Sequence, residues 1–232
     1  MSNLPQTILE IINHLAQKHP ELAGPIASVA SQGQANQSED QRKLQFLLEW
    51  ELRQFGAPSP GFIKQINVMR NGLQDATWIE TGTFLGDTTA LMAATGRPVF
   101  TIEPEPNLYA RAIQRFQGML NVNVINELSE IAMPNLLRTL RGNVNFWLDG
   151  HYSGGITHKG PQNTPLFDEL KTIASNLGTL DKVVVMVDDV RCCDVRHAEY
   201  EKDYPSLDFL VDWARSNHLS WHIEQDSFIA KT

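Results

Sequence analysis

The chain has few cysteines, no long apolar run and no concentration of basic residues. Only two of its 232 residues are cysteines, the adjacent pair Cys192 and Cys193. Neighbouring cysteines rarely form a disulfide and lack the spacing of a metal site, so a disulfide scaffold and a cysteine-ligated zinc centre are both excluded. We therefore expect a reducing, cytoplasmic location.

Membranes and nucleic acids are disfavoured as partners. The longest strongly apolar run, residues 183–187, is far too short to cross a bilayer. The amino terminus shows no charged-then-apolar leader, in keeping with a cytoplasmic protein. The net charge is −8 and no lysine/arginine cluster occurs, whereas nucleic-acid-binding proteins usually carry a basic surface. A small-molecule partner is expected.

The first sixty residues differ from the rest. Apolar residues recur at helical spacing in 4–19 and again in 44–52, and the run Pro58-Ser59-Pro60-Gly61 ends this region. We interpret 1–60 as an N-terminal helical cap, which could cover the substrate or make the protein a homo-oligomer. Residues 61–232 are then a single α/β domain.

From residue 76 onward, apolar strands alternate with amphipathic helices. Parallel strands covered by helices are predicted from this alternation. Pro134 is expected to open the helix after the third strand. A closing hairpin should add antiparallel strands, so the fold class is α/β: a Rossmann-like, doubly wound, mostly parallel sheet with a C-terminal antiparallel hairpin. The predicted strands are 77–81, 98–103, 122–126, 144–149, 183–188, 219–224 and 227–231, and helices are predicted at 62–71, 165–177 and 206–217.

A glycine turn and two glutamates point to a nucleoside cofactor. The first strand ends in Glu80-Thr81-Gly82-Thr83, followed by Gly86, and the second strand ends on Glu103. Glycine lets the backbone approach a ligand, and an acidic side chain at the next strand end can accept both ribose hydroxyls. The turn lacks the spacing of pyrophosphate binders, and Glu80 would suit an ammonium group. This combination favours S-adenosylmethionine.

Three carboxylates are expected at neighbouring strand ends. Asp149 follows the fourth strand, and Asp188 and Asp189 follow the fifth. Clustered carboxylates repel each other unless a cation or protons neutralise them, and Mg²⁺ or a similar hard divalent cation suits such oxygens. Alternatively, Asp149 contacts the cofactor while Asp188 and Asp189 only cap the next turn.

Two histidines are candidates for chemistry. His151 lies two residues after Asp149 and is a reasonable general base, although it could equally be a surface or loop-anchoring histidine. His158 and Lys159 belong to the glycine-containing segment 153–160, which could close over a substrate or simply be a solvated loop.

These motifs, in this order, resemble class I S-adenosylmethionine-dependent methyltransferases over residues 60–232. Within that class, Asp149-Gly150-His151-Tyr152 together with Asp188-Asp189 is similar to the cation-dependent sugar O-methyltransferases of macrolide and aminocoumarin biosynthesis. Two positions depart from the family. Leu128 stands where many relatives have an acidic residue, and the family's base is often an aspartate instead of a histidine.

The resemblance implies a role for each site residue. The set expected to bind S-adenosylmethionine is Glu80, Thr81, Gly82, Thr83, Gly86, Glu103, Ser129 and Asp149, with Ser129 near the adenine. The resemblance also implies that Asp149, Asp188 and Asp189 ligate Mg²⁺ and that His151 is the base. The expected reaction is methyl transfer to a hydroxyl of a small molecule, with a sugar as one candidate.

Three alternatives stay open at this point. A methyltransferase that needs no metal would use its aspartates only structurally. A methyltransferase-like module would bind without catalysing a reaction. A nicotinamide-dependent oxidoreductase is the weakest of the three, because the glycine turn and the terminal hairpin do not fit it.

Overall fold

The computed structural model describes residues 58–152, 155–158, 160, 162–195 and 203–232. The chain divides into two compact units, residues 1–62 and 63–232. Nearly all of the first unit, including the helices predicted in 4–19 and 44–52, lies outside the described residues. The helical cap therefore stays a prediction.

The second unit alternates helices and strands. Helix α1 spans Gly61–Asn71 and begins just before the boundary between the units. The strands are β1 (Thr77–Thr81), β2 (Val99–Ile102), β3 (Val122–Ile125), β4 (Val144–Leu148), β5 (Val183–Val187), β6 (Ser220–Glu224) and β7 (Ser227–Lys231). The other α-helices are α2 (Asp87–Ala94), α3 (Pro106–Arg115), α4 (Ser129–Thr139), α5 (Leu166–Asn176) and α6 (Leu207–Ser216).

The seven strands form one sheet in the order β3-β2-β1-β4-β5-β7-β6. The first five strands run parallel, and β7 pairs antiparallel with both β5 and β6. The predicted fold class is confirmed. Strands β1 and β4 are neighbours at the centre of the sheet. From β1 the chain continues outward to β2 and β3 on one side, and from β4 it continues outward to β5 on the other. The carboxyl ends of β1 and β4 therefore form the switch point, where sheets of this kind bind ligands.

Helices cover both faces of the sheet. Alternating residues of the central strands point to opposite faces, so Ile79 and Phe146 enter one apolar core while Trp78 and Trp147 enter the other. Helices α4, α5 and α6 pack on the first face, and α1 and α2 contribute Val68 and Met92 to the second. Burial on both faces explains why β5 is apolar throughout.

Helix α4 differs from the sequence prediction. Pro134 lies in the middle of the helix, which begins at Ser129, so the expectation that Pro134 opens it was wrong. A proline there removes one backbone hydrogen bond. Burial of Ala132, Met133 and Leu137 against the sheet offsets that loss. No helix in the described part of the chain is long and apolar enough to cross a membrane.

Candidate functional site

A cleft opens at the carboxyl ends of β1, β2 and β4. It encloses about 530 Å³, a volume that includes space open to solvent. Thr81 and Gly82 line it from β1, Ile102 from β2 and Gly150 from the segment after β4, while Ser129 lies where α4 begins. His158 and Gly160 also line the cleft, whereas Lys159 lies outside the described residues.

Gly82 is required by the backbone that surrounds it. Its φ is +85°, and a Cβ there would lie 2.2 Å from the carbonyl oxygen of Asp149. Its N–H donates to Ile102 O at 3.0 Å, and Asp149 N–H donates to Thr81 O at 3.1 Å. The turn is thus held tightly against the ends of β2 and β4, and its backbone is open to a ligand in the cleft.

Thr83 and Gly86 shape the turn from outside the cleft. Thr83 Oγ1 shares a buried hydrogen bond of 2.5 Å with Thr101 Oγ1. Gly86 has φ +84° at the N-cap of α2, where a Cβ would meet the ring of Phe116 at 2.8 Å. Neither residue lines the cleft, so their expected cofactor contacts stay predictions.

Glu80 is buried behind the turn. Its Oε2 accepts hydrogen bonds from Thr89 Oγ1 at 2.5 Å and Thr101 Oγ1 at 2.7 Å. Burial raises the pKa of Glu80 to about 7, although both hydroxyls oppose this effect. Glu80 is absent from the cleft lining, so its predicted contact with an ammonium group is also untested.

Glu103 directly follows β2 and lies in the chain between Ile102 and Pro104, which both line the cleft, but Glu103 itself is absent from the lining. Its Oε2 accepts the Phe84 N–H at 2.8 Å and its Oε1 accepts the Glu105 N–H at 3.0 Å. Burial raises the pKa of this carboxyl, and the two backbone donors oppose the rise. Each oxygen keeps a lone pair for a further donor. The carboxylate is therefore held in one orientation, and its expected contact with a ribose stays a prediction.

Glu169, which the sequence analysis missed, lies close to Thr81 and Ser129 of the cleft. Thr81 Oγ1, Ser129 Oγ and Glu169 Oε1 are all buried without a well-directed hydrogen bond among the described residues. Burial raises the pKa of Glu169 to about 7, and the nearby hydroxyls of Ser129 and Thr81 oppose the rise. Glu169 also lines a second pocket, together with Gly150 and His151. This pocket encloses about 220 Å³, including space open to solvent.

The three predicted carboxylates do come together, and we call Asp149, Asp188 and Asp189 the carboxylate cluster. The ring of His151 lies between two of them. Its Nδ1 is 3.3 Å from Asp149 Oδ1 and its Nε2 is 3.0 Å from Asp189 Oδ2. Burial alone would lower the pKa of His151, but these two contacts raise it to about 10. In this arrangement His151 is a donor with no free basic nitrogen.

Two basic side chains that the sequence analysis missed complete the ion pairs. Lys64 Nζ donates to Asp188 Oδ2 and, at 2.9 Å, to Asp189 Oδ1. Arg191 Nη1 lies 2.5 Å from Asp189 Oδ1 and also forms an ion pair with Asp226 Oδ2. Burial alone would raise the pKa of Asp189, but His151 and Lys64 hold it well below its usual range. Burial, together with Asp149, raises the pKa of Asp188.

The donor set does not fit a Mg²⁺ ion as it stands. Ligand atoms of Asp149, His151 and Asp189 lie within 4.8 Å of one another, but this group includes a nitrogen and omits Asp188. Mg²⁺ demands oxygen ligands in octahedral geometry, and here the oxygens of Asp188 and Asp189 already face Lys64.

Comparison with known proteins gives distant likenesses only. No protein-family model matches the chain, and no curated protein does. The chain is similar to the N-methyltransferase NodS from Bradyrhizobium japonicum WM9, at 13% identity and a TM-score of 0.48, over 73% of this chain and 93% of that one. It is also similar to the glycopeptide N-methyltransferase MtfA complexed with S-adenosylmethionine, at 11% identity and a TM-score of 0.48, over 75% and 86%.

A third likeness is to SMU.1697c, a methyltransferase-like protein from Streptococcus mutans in complex with SAH. The identity is 11% and the TM-score 0.43, over 74% of this chain and 96% of that one. At such identities and TM-scores, these likenesses assign no activity to this chain.

Proposed function

We propose that the chain is an S-adenosylmethionine-dependent methyltransferase that acts on a hydroxyl of a small molecule. The observation that carries this proposal is the cleft at the sheet's switch point, which the Gly82 turn lines and beside which Glu103 is held by the Phe84 N–H of that turn. A nucleoside ligand needs a close backbone on one side and a hydrogen-bond acceptor for its ribose on the other.

The residues around the cleft suit an adenosyl group. Glu103 would accept the ribose hydroxyls with the lone pairs that its two backbone donors leave free. Ile102 and Leu128 provide apolar surface for an adenine, and Ser129 could hydrogen-bond to its edge. When bound, the cofactor supplies a methyl group on a sulfonium, which makes that methyl electrophilic.

The acceptor would enter from the side of Tyr152 and His158. The net charge of −8 disfavours a polyanion there, so a small neutral or cationic molecule is the proposed substrate. The fold's contribution would be alignment of donor and acceptor, worth several kcal/mol through proximity alone.

Methylation of a hydroxyl also releases a proton. His151 can accept it only as a neutral imidazole, and its two carboxylate partners favour the imidazolium. The proposed base role therefore requires that the acceptor separate His151 from one of those partners. The 3.3 Å contact with Asp149 is the longer of the two, and Asp149 is the more exposed aspartate.

Titration calorimetry with S-adenosylhomocysteine tests the proposal. We expect one binding site on the unmodified chain and about tenfold to hundredfold weaker binding by Glu103→Gln, since a hydrogen bond to a charged group is lost. Glu127→Gln is the matched control, because Glu127 is exposed and its described hydrogen bond is to its own neighbour, Leu128. Circular dichroism would verify that both variants are folded. Absence of binding by the unmodified chain would overturn the proposal.

A further inference from the structure

The ammonium of Lys64 lies inside the carboxylate cluster. Lys64 belongs to the first turn of α1 and its side chain is only 17% exposed. Its Nζ bridges the carboxylates of Asp188 and Asp189, whose side chains are 0% and 3% exposed. A single fixed cation is thus shared by two buried carboxylates that directly follow β5.

The charges around this point are nearly balanced by protein groups alone. Four carboxyl groups, those of the carboxylate cluster and Asp226, face three basic side chains, those of Lys64, His151 and Arg191. The electrostatic reason to expect a bound divalent ion, three mutually repelling carboxylates, is therefore largely removed.

Three of the four carboxylate oxygens of Asp188 and Asp189 are also occupied. Asp189 Oδ1 accepts from Lys64 and Arg191, and its Oδ2 faces His151. Asp188 Oδ2 accepts from Lys64, which leaves Oδ1 of Asp188 without a partner among the described residues. A metal ion at this position would have to displace an ammonium that makes two ion pairs.

We propose that Lys64 is the resident cation of the carboxylate cluster, holding between Asp188 and Asp189 the place where a divalent metal was expected, so that the cluster binds no divalent cation while Lys64 is present. This inference does not depend on the proposed function, because it concerns metal binding by the chain without cofactor or acceptor. An ammonium has no open coordination position, so it orients carboxylates and cannot activate a hydroxyl by ligating it. Lys64 is thus a positioning residue.

Mn²⁺ binding followed by electron paramagnetic resonance tests this directly, with Mn²⁺ alone as the probe. The unmodified chain should show no site at Mn²⁺ concentrations up to about 1 mM, the weak end of biological divalent sites. Lys64→Met keeps most of the length of the side chain and removes its charge. This variant should bind Mn²⁺ at least about tenfold more tightly than that limit, because a buried cation no longer competes. Adding Asp189→Asn to that variant should abolish the new site.

Lys64→Gln serves as a second variant in case Lys64→Met does not fold, and Lys64→Arg should behave like the unmodified chain. The inference is overturned if the unmodified chain binds Mn²⁺ at a site that Asp189→Asn removes. It is equally overturned if folded Lys64→Met and Lys64→Gln acquire no Mn²⁺ site. Calorimetry with S-adenosylhomocysteine reports on the proposed function separately.

Discussion

The Nζ of Lys64 lies 2.9 Å from Oδ1 of Asp189, although 125 positions separate the two residues in the chain. The pair joins the start of α1 to the end of β5. Burial alone would lower the pKa of Lys64, but Asp188, Asp149 and Asp189 raise it, so the ammonium stays charged throughout the physiological range. Removing its charge would leave two carboxylates without their shared partner.

We therefore predict that Lys64→Met lowers the free energy of unfolding by about 2–4 kcal/mol, the cost of leaving buried carboxylates uncompensated. Lys171→Met, at an exposed position of α5, should change it by about 0.5 kcal/mol or less. Urea denaturation at neutral pH measures both. Equal effects of the two substitutions would contradict the structural role of Lys64.

Two buried glutamates should make stability fall as pH rises. The pKa values of Glu80 and Glu169 are raised from 4.5 to about 7 by burial. Between these values the unfolded chain loses the proton while the folded chain keeps it, so the free energy of unfolding decreases with pH. The decrease is about 1.4 kcal/mol per pH unit for each group, or about 3 kcal/mol per pH unit for the two together.

Glu80→Gln and Glu169→Gln should each flatten this dependence, since an amide does not titrate. Urea unfolding at about pH 5 and about pH 7.5 gives the difference between variant and unmodified chain. Glu127→Gln, at an exposed position, should leave the slope unchanged. Each variant should keep about half of the slope, and a slope equal to that of the unmodified chain in both variants would show that these carboxyls ionise normally.

Gly82 should tolerate no side chain, unlike another glycine with a similar backbone. Gly82→Ala combines a φ of +85° with a Cβ 2.2 Å from the Asp149 carbonyl oxygen, and we expect a loss of about 3 kcal/mol or more. Gly96 has φ +75° and nothing within 4 Å of its Cβ position, so Gly96→Ala should lose only about 1–2 kcal/mol. Thermal unfolding of both variants gives the comparison. Equal losses would contradict the close packing of the turn.

Local patterns were enough to predict the fold. The apolar run 183–187 coincides with β5, because a strand buried on both faces favours apolar residues at successive positions. The carboxylate cluster followed from the same rule, since polar residues directly after such strands collect at one edge of a parallel sheet. The predicted start of α4 at Pro134 was wrong because burial of one face of this helix outweighs the local penalty of a proline inside it.

The sequence does not show which side chains contact the predicted site residues. Nothing in the sequence around Lys64 shows that α1 brings it to the end of β5, because its partner Asp189 is 125 positions away in the chain. Glu169 did leave a signal, as an acidic residue between Leu166 and Ile173 in the apolar stripe of α5. An acidic residue on a core-facing stripe indicates a buried polar site, and that signal could have been used.

A crystal structure of the chain with S-adenosylhomocysteine is the most direct test of the central claim, that the cleft binds an adenosyl cofactor. We predict electron density for the adenosyl group over the Gly82 turn, with the ribose hydroxyls on Glu103 and the adenine beside Ser129. Density at another place, or a cleft that stays empty at saturating ligand, would contradict the claim.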